Sequence, residues 1–272
     1  MTRANCWRTP VSDTNSVRMS AEVTEDAVLG GKLRLKQPRS GHRVGHDAIL
    51  LAAACPARAG ERVLDLGAGV GAAGLSLARR VEGTEVALVE VDPVLAGLAA
   101  QNARLNGLET RVSSMVLDVA APARAFAAAG LAPETAARVL MNPPFNDPAR
   151  QRASIDPQRR LAHVRSSGTL PAWVKTAARL LRPRGTLTMI WRADGLAEVL
   201  QALASAFGAA TVLPVHPGER EAAIRVLVRA TKASRAPLVL LPGFVLNDAS
   251  GRPTAQAEAV LRGDAVLPLG EI

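Results

Sequence analysis

Tyrosine is absent from the 272-residue chain, and aromatic residues of all kinds make up only 3% of it. Any ring that meets a ligand is drawn from four phenylalanines and three tryptophans. Cysteine is almost as scarce: Cys6 and Cys55 stand alone, and no CxxC spacing exists. That excludes a disulfide scaffold. Long apolar runs are missing too. The longest, Ala48–Cys55, falls far short of the roughly 20 residues that span a bilayer. Acids are the minority: 24 Asp+Glu against 33 Lys+Arg leave a net charge of +9 and a pI near 11.0. Such a surplus fits a polyanionic partner, or a codon bias that enriches Ala and Arg together, and says nothing about fold.

What is present is a core. Hydrophobic residues reach 48%, which excludes a wholly disordered basic tail. The length fits one large domain, or one domain with a small extension. The start, MTRANCWRTPVSDTNSVRMS, has no periodicity and no continuous apolar core, so no secretory signal is expected and a cytoplasmic setting follows. Met19 is a candidate start. Residues 1–28 are assigned to a polar arm and 29–272 to one domain, with a C-terminal extension packed on the same sheet.

From Ala27–Leu35, a short hairpin around Gly30-Gly31, the chain passes to a helix with Asp47 as N-cap, running through Cys55 to Pro56. Strand and helix then alternate. RVLDLG precedes a helix over Ala72–Arg80. EVALVEVD precedes one over Pro93–Asn106. RVSSMVLDV precedes Ala123–Ala129, and RVLMNPPF precedes Trp173–Leu181. GTLTMIW precedes Leu196–Phe207. ATVLPVHP and EAAIRVLVRATK read as a final strand pair. This order predicts a doubly wound, mostly parallel α/β sheet.

The first turn, DLGAGVG (Asp65–Gly71), lies between a strand and a helix. Gly67, Gly69 and Gly71 allow close backbone approach, and Ala68 between them is counted with the cofactor-binding residues. The helix amides that follow suit an anion, so a dinucleotide fingerprint also matches. Asp65 speaks against a pyrophosphate, because like charges repel. A carboxylate there suits a ligand with a positive amino-acid end, such as S-adenosylmethionine. Glu90, with Val91 beside it, ends the second strand where an acid accepts ribose hydroxyls. Asp118 ends the third, placed for an adenine amino group. Singly, each acid is as easily an N-cap or a solvated strand end; in order, they line one crevice.

Asn142-Pro143-Pro144-Phe145 closes the fourth strand, since neither proline can donate to the ladder. An amino group on a base ring is a poor nucleophile, its lone pair being delocalised. The Asn142 side-chain oxygen and the Pro143 carbonyl can each accept one of its N–H bonds, orienting the nitrogen and favouring the charge that develops on it. Pro144 completes the stop, and Phe145 can stack on a base withdrawn from its own stack. No metal and no covalent nucleophile is needed. A plain Pro-containing loop is the bland alternative.

Cations cluster around these blocks. Lys32, Arg34, Lys36, Arg39 and Arg43 lie in an acid-free stretch. Arg150 and Arg152, with Arg159, Arg160 and Arg165, follow NPPF. Lys175, Arg179, Arg182, Arg184 and Arg192 form a third run. Lys32, Lys36, Arg39, Arg43, Arg150 and Arg152 are the candidate phosphate contacts, against the alternative of a solvated face. His42, His46, His163 and His216 lack ligand spacing, and Trp173 and Trp191 are expected in the core.

DLGAGVG, VEVD, LDV and NPPF, in that order, resemble class I S-adenosylmethionine-dependent methyltransferases acting on planar amino groups. More narrowly, LGGKLRLKQPRSGHRVGHDAILLAAACPA, GAGVGAAGLSLA, MNPPFNDP and GRPTAQAEAVLRG resemble the bacterial tRNA-Val adenine(37)-N(6)-methyltransferase family, over about Leu29 to Leu267. The resemblance implies a Rossmann-like fold with a seven-stranded sheet whose final strand is antiparallel. It also implies S-adenosylmethionine as cofactor and an anticodon-loop adenosine of tRNA as substrate. Carried over, Asn142, Pro143, Pro144 and Phe145 form the base site, and Asp65, Gly67, Gly69, Glu90 and Asp118 the cofactor site. NPPF is shared with ribosomal-RNA guanine methyltransferases. Protein glutamine methyltransferases of the release-factor type usually carry Tyr where this chain has Phe145. A degenerate fold serving only to bind RNA is the non-enzymatic alternative, against which the intact acids and NPPF stand.

Overall fold

A computed structural model describes residues 22–39, 43–144 and 169–270. Phe145, Arg150, Arg152 and the first 21 residues lie outside the described residues. The fold opens on an antiparallel hairpin of β1 (Val23–Val28) and β2 (Leu33–Pro38). It starts earlier than expected and takes in residues read as arm. The reason is compositional: VTEDAV has no buried residue, and its acids Glu25 and Asp26 hid its strand character.

The central sheet alternates with helices: α1 (His46–Ala53), β3 (Arg62–Leu66), α2 (Ala72–Arg80), β4 (Glu85–Glu90), α3 (Pro93–Leu105), β5 (Val112–Val116), α4 (Ala123–Ala128) and β6 (Ala136–Met141). After the undescribed segment come α5 (Thr169–Leu180), β7 (Leu181–Arg192), α6 (Leu196–Leu203), β8 (Phe207–Gly218), β9 (Arg225–Lys232), β10 (Val239–Leu240), β11 (Phe244–Asn247) and α7 (Ala255–Leu261). The described strands run β10-β8-β9-β7-β6-β3-β4-β5, with β11 also on β8. β9 is antiparallel to β7 and β8, and the other pairings are parallel. Seven strands from β5 to β8 match the expected sheet, with β9 its antiparallel member. The two short tail strands extend it to nine.

Both faces of the parallel region are buried, which is why its strands read as continuous apolar runs. Val63, Val86, Leu88 and Leu140 face one core with α1, α2 and α7. Leu64, Leu66, Ala87, Val89, Val139 and Met141 face the other, with α5 and α6. Among the described residues no helix is long and apolar enough to cross a membrane. One expected cap is different: Gly45 is the N-cap of α1. The Asp47 carboxylate instead accepts from Arg225 Nε at 2.9 Å, tying α1 to β9.

The hairpin is joined to the sheet layer by two asparagines one turn apart, Asn102 in α3 and Asn106 at its C-cap. Asn106 accepts from Arg34 N and donates to Arg34 O, and Asn102 does the same with Lys36, at 2.7–3.0 Å. Asn102 also donates to Val70 O at 3.0 Å, inside the glycine turn. This fully buried amide thus ties hairpin, helix and turn together. Asn102→Ala strands three backbone groups and is expected to cost about 2–4 kcal/mol. Urea denaturation measures it, and a loss below about 0.5 kcal/mol would contradict the role.

Candidate active site

The carboxyl ends of β3, β4, β5 and β6 converge on one crevice, as the topology of an open parallel sheet requires. The turn after β3 is fixed from beneath. Gly67 N and Ala68 N both donate to Val89 O, at 2.8 and 3.0 Å, and Gly71 N donates to Ala68 O. Gly67, Gly69 and Gly71 have φ of +73°, +56° and +87°. The three glycines serve different neighbours. A Cβ on Gly71 would lie 2.9 Å from Leu88 Cδ1, and one on Gly67 would lie 2.8 Å from Trp173 Cζ3. A Cβ on Gly69 would meet nothing within 4 Å. Gly69 is therefore where the turn has open space beside it.

Asp65 does not face that opening. It is 3% exposed, and its Oδ2 accepts from Gly74 N at 2.8 Å, under the first turn of α2. Alternation explains this: Asp65 shares a strand face with Val63, toward α2. Glu90 sits at the lip. Its two oxygens accept from Gly69 N at 2.8 Å and Asp92 N at 2.9 Å, which leaves each a further lone pair. Asp92, not Glu90, caps α3, accepting from Val94 N at 2.7 Å. Val91 is 59% exposed, and Val94 and Val116 are similarly open, giving the β4–β5 side of the crevice an apolar rim. Asp118 is exposed, and its Oδ1 accepts from Ala120 N at 2.8 Å.

Asn142 follows Met141, and Gly67 follows Leu66, its register neighbour on β3. Asn142 Oδ1 is buried and has no hydrogen-bond partner among the described residues. Such an atom costs about 1–3 kcal/mol when left unmet, so its retention at a strand end calls for an incoming donor. Pro143 beside it is buried and Pro144 exposed. The structure thus sets Asn142 and Pro143 beside the start of the glycine turn, whose Gly69 is bonded to Glu90. Trp173, expected in the core, is only partly buried and presses its ring on Gly67, whereas Trp191 is buried as expected. Sequence gave no sign of the first contact, because helical spacing alone places Trp173 toward the sheet.

The cations are less free than their acid-free runs imply. Lys32 pairs with Asp264, Arg34 with Glu25, Arg39 with Glu22 and Arg43 with Asp26. Three of the acids come from β1 and its approach, just before the basic run in the chain, and only Asp264 comes from the distant tail. Gln37 and Arg43, in the block QPRSGHRVG, both donate to Asp26, and Gln37 accepts from Val44 N. These bonds hold the described ends of the block, Gln37 and Arg43–Val44, against Asp26 and each other. Lys36 alone of this cluster has no acid within salt-bridge distance among the described residues. From Asn106 to Asn102, α3 runs back toward the crevice. Lys36, Arg39 and Arg43 therefore lie on the crevice side, and Lys32 at the far end. The third run is dispersed: Arg179 stacks on Phe126, 4.8 Å from its centroid, while Arg182 and Arg192 occupy opposite ends of β7.

Burial strips water from Asp65 and pushes its carboxyl up to about 7; the Gly74 N–H opposes this, and the Glu90 charge adds to it. The folded chain therefore holds a proton that the unfolded chain releases at the ordinary carboxylate value. This contribution to stability is greatest below about pH 4 and declines as pH rises toward 7. Thermal midpoints from pH 4 to 8 check this: the wild type is expected to lose stability relative to Asp65→Asn as pH rises. Parallel curves would contradict it.

A family model described as "Methyltransferase small domain" matches residues 40–218. A solved protein of Agrobacterium tumefaciens, titled a predicted O-methyltransferase, is 32% identical with a TM-score of 0.70, covering 81% of this chain and 98% of that one. The Thermus thermophilus 16S rRNA N2 G1207 methyltransferase, solved with AdoMet and guanosine, shares the fold (22% identical, TM-score 0.52, 78% of this chain and 50% of that one). Among curated proteins, the tRNA1(Val) (adenine(37)-N6)-methyltransferase of Enterobacter sp. strain 638 is 32% identical over 156 residues, 56% of this chain and 59% of that enzyme. That of Tolumonas auensis is 29% identical over 178 residues, 65% of this chain and 70% of that enzyme. The chain thus spans about three fifths of the length of the first of these relatives. With more than half of its length matched by the family model, the chain belongs to the methyltransferase small-domain family.

Proposed function

We propose that this chain methylates the exocyclic amino group of an adenine in tRNA, an anticodon-loop adenosine, using S-adenosylmethionine in the cytoplasm. The observation that carries the reading is the buried, unmet oxygen of Asn142 at the end of β6. The names of the curated relatives support the substrate, and the glycine turn supports the cofactor.

The residues present fit that cofactor. The open space at Gly69 admits it, the remaining lone pairs of Glu90 can accept its ribose hydroxyls, and the Val91–Val116 rim offers apolar contact to its adenine, with Asp118 near the amino group. Asp65 would act from below, by fixing the turn through Gly74. When bound, S-adenosylmethionine supplies an electrophilic methyl on a sulfonium. Asn142 Oδ1 accepts one N–H of the target amine and the Pro143 carbonyl the other, directing the nitrogen lone pair out of the ring plane. With the amine so held, its nitrogen would take the methyl carbon that the bound donor offers as the carbon–sulfur bond breaks, and would then release one proton to water. Phe145 would stack on the base.

An oxygen acceptor, as the description of the Agrobacterium protein implies for that protein, fits less well. A hydroxyl needs a base to take its proton, and an amide is not one. Lys36, Arg39 and Arg43 on the crevice side, with Arg150 and Arg152, are proposed to meet RNA phosphates, which compete readily with exposed ion pairs.

Asn142→Ala is expected to lower kcat about 10²–10³-fold while cofactor affinity stays within about threefold. Transfer of labelled methyl to tRNA lacking the modification, together with calorimetry, measures both. Loss of cofactor binding in this variant would overturn the assigned role. The double replacement Lys36→Ala with Arg39→Ala is expected to weaken tRNA binding and lower the slope of log K against log salt by about 0.7–0.9 per lost contact. An unchanged slope would remove both residues from the interface.

A further inference from the structure

We infer that Trp173 forms the wall of the methyl-donor pocket and meets the positively charged sulfonium. The inference rests on the reading above and adds to it a residue that touches the donor.

Three observations place it. The Trp173 indole is packed so closely on Gly67 that a Cβ there would collide with Cη2 and lie 2.8 Å from Cζ3. Glycine at 67 thus makes room for a ring as well as satisfying a φ of +73°. Gly67 and Asn142 are successive to the paired residues Leu66 and Met141 on neighbouring parallel strands, which lie about 5 Å apart. A ring against Gly67 is therefore beside the junction where Asn142 would hold the acceptor. Finally, Trp173 is only partly buried, on the margin of the core shared with Val174 and Ala177, whereas Trp191 is 5% exposed. Some of the indole surface is left for a ligand.

The charge of the crevice decides what that surface meets. Its described carboxylates each accept from backbone amides and stand away from Asn142: Asp65 beneath the turn on Gly74, Glu90 on Gly69 and Asp92, and Asp118 on Ala120. Glu90 and Asp118 lie toward β5, on the other side of β3 from Asn142. A cation between Gly67 and Asn142 has no described acid at hand, and the negative face of an indole is the remaining complement.

S-adenosylmethionine and S-adenosylhomocysteine differ by one methyl group and its positive charge, so their affinities isolate the effect. Calorimetry on the full chain is expected to show Trp173→Leu losing about 3- to 30-fold for S-adenosylmethionine and less than threefold for S-adenosylhomocysteine. The Trp191→Phe control is expected to lower both equally or not at all. An equal loss for both ligands in Trp173→Leu, or no loss, overturns the inference and leaves the methyltransferase reading standing. If the wild type binds neither ligand, that reading itself fails. Should Trp173→Leu not fold, a Trp7→Phe, Trp191→Phe chain grown with difluorotryptophan, whose ring face is less negative, leaves Trp173 as the labelled ring and decides. A selective fall for S-adenosylmethionine supports the contact, and an unchanged ratio overturns it.

Discussion

A carboxylate held out of water underlies the site. Asp65 leaves β3 on the α2 side and accepts the amide hydrogen of Gly74. One bond thereby fixes where the helix begins relative to the strand, and so fixes the turn between them. The same contact demands glycine at 74, because a Cβ there would crowd Asp65 Oδ2 at 3.1 Å and strike Leu88. With the turn set, its first two amides reach Val89 O on β4, and Glu90 at the end of β4 closes on Gly69. The crevice is then a consequence of neighbouring parallel strands stopping at one level, with β6 halted beside β3 by two prolines.

The electrostatics follow the same economy. The acids of the crevice are spent on backbone amides, which shapes the turn and leaves an uncharged acceptor, Asn142 Oδ1, where the chemistry is proposed. That suits an amine, which brings two N–H donors and needs no base before it attacks. Outside the crevice, the positive surplus is distributed differently from its order in the chain. The hairpin pairs four of its cations with acids, so a polyanion meets a surface already arranged in exposed ion pairs, whose individual worth is about 0–1 kcal/mol.

Periodicity and turn chemistry made much of this legible. α2 runs over Ala72–Arg80 as expected, and the strands from Arg62 to Lys232 take the expected order, because continuous apolar runs bounded by glycine, proline and acid leave few alternatives. The misses share a cause, which is that a partner met only in the folded chain outbid the reading of each segment by itself. Asp47 looked like a cap and found Arg225 instead. The basic run of the hairpin met acids from Glu22, Glu25, Asp26 and Asp264. Val23–Val28 became a strand because β2 lay ready to pair, although its own residues gave no apolar alternation. Trp173 read as core from helix spacing, and only its packing on Gly67 brings it to the crevice. Asn102 gave no signal, since an asparagine within a helix is ordinarily a surface residue. Its three backbone bonds exist only once hairpin and turn are both in place.

The central claim concerns a single atom, the nitrogen that receives the methyl group. Mass spectrometry of nucleosides and oligonucleotides from tRNA, taken from cells with and without the chain, reads it most directly. The account predicts one methyl lost from the amino group of an anticodon-loop adenosine when the chain is removed, and restored when it is supplied. A tRNA unchanged in both, with the difference on a ribosomal-RNA guanosine or a protein glutamine, would contradict it.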